Sequence, residues 1–208
     1  MKVIKMLPAI VIVAAAFAAL SAGAATAHSW RINGSPVTKS KEVVATSKLT
    51  FENTHEGFYS FQCSINDKGT VGTLGLGEIT SITSEAGAKS ISCTIVHSST
   101  YCGSAVEIEA LGLPWKTELV TLSGALRNGI SNSAEWKVTC KGVAGTLVNY
   151  CIASPNTGVK NVTTGVEEVY DGSSPSTKCF NDGAGAVFVT TGTELLKTRE
   201  AGEILGAE

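Results

Sequence analysis

The chain is short of most things a catalytic site is built from. Its 208 residues include only three histidines, at 28, 55 and 97. It has no Gly-x-Ser-x-Gly elbow, so the exposed nucleophile of the α/β-hydrolases has no anchor. No Cys-x-x-Cys pair or Cys/His cluster stands at ligand spacing, which argues against a zinc site. Calcium would need a loop of alternating Asp/Asn closed by Glu, and none is present. The glycines of "GTVGTLGLGEI" are not followed by Gly-Lys-Ser/Thr and a helix, so they make no phosphate loop. In a β protein they read as a bulged or closely packed strand. No catalytic residue, cofactor or metal is expected.

Other scarcities bound the architecture. Only three prolines follow residue 36 (Pro114, Pro155 and Pro175), and no low-complexity linker divides the chain. Positive charge is not in excess. Two of the 16 basic residues lie in the first 27, which leaves His28–Glu208 with 14 basic against 18 acidic residues, a net charge of −4. That balance argues against nucleic acid and against anionic lipid as partners. Beyond the first 20 residues no apolar run approaches the ~20 residues that span a membrane.

The first 27 residues read as a secretory signal peptide. Lys2 and Lys5 precede an apolar stretch from Leu7 to Leu20, and Ala25-Thr26-Ala27 fits a small-x-small cleavage site. Export is expected, with His28 as the first residue of a single domain over 28–208 and no membrane span once the signal is removed. His28 itself is expected to be mobile.

What is abundant is two-residue periodicity. In "FYSFQCSI", Tyr59, Phe61, Cys63 and Ile65 alternate with Ser60, Gln62 and Ser64. "SISCTIV" and "SAEWKVTC" repeat the pattern through Ile91, Cys93 and Ile95 and through Trp136, Val138 and Cys140. Such alternation gives strands with one dry and one wet face. In each run the cysteine is on the dry phase. Frequent glycine turns then predict an all-β fold, an antiparallel sandwich or a barrel. Turns are expected at Asn66–Gly69, at Asn128-Gly129, at Asp171-Gly172 and at Asn181–Gly183. The segment from Thr191 to Leu205 reads as a short helix or a final hairpin turning at Ala201-Gly202, with the hairpin preferred.

Six cysteines, an even number in an exported chain, read as disulfides. Fifteen pairings are possible. Proximity in sequence suggests Cys93–Cys102 and Cys140–Cys151, and Cys63–Cys179 follows by elimination.

Paired acids could serve glycoside hydrolysis. Glu107 and Glu109 share a strand face, but Val106, Ile108 and Ala110 make the other face apolar, so these acids read as the solvated side. Glu167 and Glu168 point to opposite faces. Asp67, Asp171 and Asp182 stand near turn glycines, where Asp is expected for backbone reasons. Asn161 in "NVT" is a glycosylation acceptor only in a host with that machinery. Two tryptophans, Trp30 and Trp115, stand out as possible contact residues. Trp115 lies in "EALGLPWKTEL", which reads as a corner between two strands: Pro114 sets φ and Gly112 relaxes the backbone.

The succession "WRING", "FQCSINDKGTVG", "ALGLPWKTEL" and "WKVTC" resembles small secreted β-rich proteins of soil actinobacteria, across most of residues 28–208. The resemblance implies export and a disulfide-bonded β fold, and no activity. The expected role is extracellular binding of a protein or glycan, or envelope structure, without catalysis. The alternatives are a secreted hydrolase with acids dispersed over loops, and an inhibitor or effector presenting the Cys93–Cys102 loop.

Overall fold

The computed structural model describes residues 28–54, 58–130, 134–153, 156–172, 177–180 and 186–208. The proposed leader, His55, Pro155, Pro175 and the Asn181–Gly183 turn lie outside the described residues. Among the described residues there is no α-helix, and no helix is long and apolar enough to cross a membrane. The expected antiparallel all-β fold is the one observed, in its barrel form.

Three long strands organise it: β3 (Lys41–Asn53), β4 (Ser60–Val71) and β15 (Ala186–Thr198). At 12 or 13 residues each spans roughly 40 Å. They lie side by side in the order β4-β3-β15, and each outer edge is shared by two short strands. Along β4, residues 60–62 pair with β6 (Ile91–His97) and residues 66–71 with β5 (Leu76–Thr83). Along β15, residues 186–188 pair with β14 (Thr177–Phe180) and residues 191–196 with β13 (Gly165–Asp171).

The shared wall therefore forks and closes twice. One ring runs from β5 through β8 (Trp115–Leu122), β9 (Ala125–Ile130) and β12 (Asn156–Val162) to β13. The other runs from β6 through β7 (Ala105–Leu111), β10 (Ala134–Gly142) and β11 (Gly145–Ala153) to β14. Counting the common wall, each ring has eight strands. Closure gives each of these strands a partner on both sides over part of its length, which limits the edge open to other chains. The first ring is capped by a small sheet of β16 (Leu205–Ala207), β1 (Trp30–Ile32) and β2 (Ser35–Pro36). We call it the capped ring, and the other the cystine ring, since all three disulfides lie there.

Alternation decides what fills each ring. Phe61, Cys63 and Ile65 all point inward and are almost fully buried, as their period predicts. Phe61 stacks on Phe51 at 5.3 Å and meets Phe188 edge-on at 5.6 Å. A second apolar cluster (Trp30, Val37, Val43, Val71, Leu119, Val166, Leu205) closes the capped ring from below.

The disulfide pairing differs from the expected one at every bridge. The bonds are Cys63–Cys93, Cys102–Cys140 and Cys151–Cys179, and no described cysteine is free. Strand register gives the reason. In the β10–β11 hairpin Cys140 faces Leu147 while Cys151 faces Trp136, four positions along. That separation is roughly 13 Å, about twice the reach of a cystine. Cys151 instead lies directly opposite Cys179 on β14. Cys93 faces Val106 on β7, whereas Cys102 has already left the strand and folds over the end of β10.

Two expected turns are strand. Asn128-Gly129 sits inside β9, paired on both edges, and the chain reverses instead at Ser123-Gly124, both with positive φ. Asn66–Gly69 sits inside β4, where the register shifts at Lys68/Gly69. A Cβ on Gly69 would overlap the Glu78 carbonyl, so the glycine is required by close strand approach rather than by a turn. In the last segment β15 is strand and the turn falls at Ala201-Gly202, but the final strand β16 leaves β15 and pairs with β1. The corner before Trp115 stands as read: Gly112 has φ 64°, the Leu113–Pro114 bond is cis, and the chain passes here from the cystine ring to the capped ring.

Candidate functional site: an acid layer inside the capped ring

Neither tryptophan stands exposed as the expected contact residues would. Trp30 is fully buried in the cap and donates from Nε1 to the Gly75 carbonyl at 3.0 Å. Trp115 is buried too, donates from Nε1 to Leu111 O at 2.8 Å, and meets Trp136 edge-on at 5.0 Å. Apolar area and an indole partner inside the core outweigh exposure. His28 is held rather than mobile: its Nε2 lies 2.7 Å from Thr121 Oγ1. Glu107 and Glu109 lie on the half-exposed face of β7 as expected. Ser90 Oγ donates to Glu107, and Lys137 stands 4.0 Å from Glu109. His97 lies 2.9 Å from Ser60 Oγ through Nδ1, a serine–histidine contact, yet Ser60 is 3% exposed and offers no nucleophile to a substrate.

The unusual chemistry is inside the capped ring, where sequence reasoning did not place it. Strand alternation turns Val166, Glu168 and Tyr170 of β13 inward, and likewise Glu194 of β15. Register sets Glu168 directly opposite Glu194. From β4, Asp67 reaches hydrogen-bond contact with Glu194. Tyr170 donates its hydroxyl to Glu194 Oε2 at 2.9 Å. Glu168 accepts from Thr157 Oγ1 at 2.7 Å and from Asn128 Nδ2 at 2.8 Å. Asp67 is half-buried as a residue, but its Oδ1 is wholly buried and has no partner, and the same holds for Asn128 Oδ1.

Three carboxyl groups thus share one interior, and none of them pairs with a Lys, Arg or His among the described residues. Burial pushes the Asp67 carboxyl up to about 7, against the lowering pull of its hydrogen bond with Glu194 and with the Glu168 charge adding to the rise. Burial and then the Glu194 charge raise Glu168 to about 7, against the lowering pull of its Thr157 and Asn128 donors. Glu194 is held well above the usual carboxylate range by burial and by Asp67. A contact between two carboxyls is favourable only if a proton lies between them, so the layer carries protons near neutrality.

The layer borders a cavity of about 50 Å³ that also touches Trp30, Ala45 and Thr117. That is room for a few waters, far below the ~300 Å³ at which ligand pockets begin. A larger open groove of about 460 Å³ runs outside the same ring past Leu76, Glu78 and Lys116, and no aromatic ring lines it. Among the described residues no group of three metal-ligating side chains could hold an ion.

One pattern could have exposed the layer: "VEEVY" alternates Val166, Glu168 and Tyr170 on a phase where the first and last read as core. The chain matches no family model, no curated protein and no solved structure.

Proposed function

We propose that the protein is an exported, non-catalytic binding module that contacts a protein partner through the tip of the cystine ring. The observation that carries this is an exposed apolar tip held rigid. Val143 is 92% and Tyr101 52% exposed. The loop from Ser98 to Ser104 is fastened to the β10–β11 turn by Cys102–Cys140. Ala144 N donates to Thr100 O, and Gly103 N and Ser104 N both donate to Lys141 O. Preorganisation lowers the entropy cost of docking, and tyrosine supplies contact area with few torsions to freeze. Export rests on the reading of the first 27 residues, and three disulfides are consistent with an extracellular setting.

The test is site-specific photo-crosslinking in cultures of the source organism. A photoreactive residue at 101 or 143 is expected to give discrete adducts, and one at exposed Lys160 on the capped ring is not. Absence of any discrete adduct at 101 and 143, or the same adducts at all three positions, overturns the reading.

A further inference from the structure

We propose that Asp67, Glu168, Glu194 and Tyr170 form a proton-held latch: protonated, the layer ties β4, β13 and β15 together, and ionised, it drives them apart and loosens the cap. The geometry supplies both states. Glu168 and Glu194 are cross-strand partners, where like charges repel most directly. Asp67 closes the triangle from β4 through its contact with Glu194.

The groups facing the layer can be named strand by strand. β4 contributes Asp67, β13 contributes Glu168 and Tyr170, and β15 contributes Glu194. From β8, β9 and β12 come the neutral Thr117, Asn128 and Thr157, and from β3 and β1 come Ala45 and Trp30. Lys68 and Glu78 border the cavity as residues, but Lys68 is exposed and Glu78 is ion-paired with Lys116. Apolar layers lie on both sides, Trp30, Val71 and Val166 below and Trp115 and Ile65 above. Among the described residues no Lys, Arg or His pairs with these acids to offset a second negative charge there, and solvent ions cannot screen it as they would at the surface.

Unfolded, these acids titrate near 4. Folded, burial pushes Asp67 and Glu168 up to about 7 and holds Glu194 well above the usual carboxylate range. The native chain therefore binds more protons than the unfolded one from about pH 4 upward. The layer's contribution to stability is fullest at or below that pH and is lost as pH rises through 7. This is the reverse of a carboxylate held in a salt bridge. Tyr59 is pushed up to about 12 and Tyr170 is also raised, both chiefly by burial, so neither ionises by pH 9.

The experiment is thermal unfolding of the oxidised protein from pH 5 to pH 9, with backbone hydrogen exchange at each pH. The midpoint is expected to fall by roughly 5 °C or more across that range. Exchange should rise in 156–172 and 190–207 and stay level in 134–153. In Glu194→Gln the amide oxygen still accepts from Tyr170 while its NH2 donates to Asp67. That variant is expected to lose at least half of the pH dependence and to unfold later than wild type at pH 9. Asp67→Asn is expected to act in the same direction, and serves should the first variant fold poorly. A wild-type midpoint as high at pH 9 as at pH 5 overturns the latch, as does an unchanged pH slope in the folded variants.

Discussion

Asn161 shows how far one side chain's role can depart from what its motif suggests. Its Nδ2 donates to the Ala207 carbonyl and its Oδ1 accepts from the Ala207 amide, both at 2.8 Å. The side chain thus replaces a neighbouring strand and holds β16, whose other edge is paired with β1. Asn161→Ala is expected to lose about 1–2 kcal/mol and to speed exchange of the Ala207 amide, measured by NMR. An unchanged exchange rate would show that the cap is held elsewhere. The acids are a comparable case. Asp67 was legible only as a turn residue, because "NDKG" carries strong turn preferences. Glu168 was legible as pointing away from Glu167, but not as pointing inward. Residue type predicts a solvated carboxylate, and only the neighbouring strands show that this phase faces the interior.

Among the elements, those with pure alternation were readable and those set by partners were not. The strands through Cys63, Cys93 and Cys140 lie where their period puts them. Asn128-Gly129 has the composition of a hairpin turn, yet β8 and β12 claim its two edges and the reversal falls at Ser123-Gly124. The bridges failed for a related reason: proximity in sequence says nothing of register between strands, and four positions of offset are enough to rule out a cystine. Gly69 gives an element-level test. Gly69→Ala forces a methyl against the Glu78 carbonyl and is expected to cost ~1–3 kcal/mol in denaturant unfolding. Gly72→Ala, where the nearest atom lies 3.8 Å away, should be far milder. Equal effects would mean that the shift between β4 and β5 is not set by crowding.

At the scale of the molecule, two rings share a wall and differ in what secures them. The cystine ring has three bridges closing loops of 30, 38 and 28 residues, each worth about 3–4 kcal/mol on a chain-entropy account. The capped ring has none and depends on its acid layer and its cap. Reduction is therefore expected to raise hydrogen exchange first in β6, β7, β10 and β11, while β8, β9, β12 and β13 hold. The shared strands β3, β4 and β15 should exchange last, since both rings must open to free them. Simultaneous loss of protection in both rings on reduction would count against this division.

The cap has a mechanical consequence. Ser29 and Glu208 exchange backbone hydrogen bonds in both directions, and Trp30 faces Ala207. Tension applied between these two ends would peel β1 from β16 one rung at a time, the weak direction for an antiparallel pair, rather than shear all the rungs together. Such a pull would unseat the indole of Trp30 while both rings behind it stayed closed.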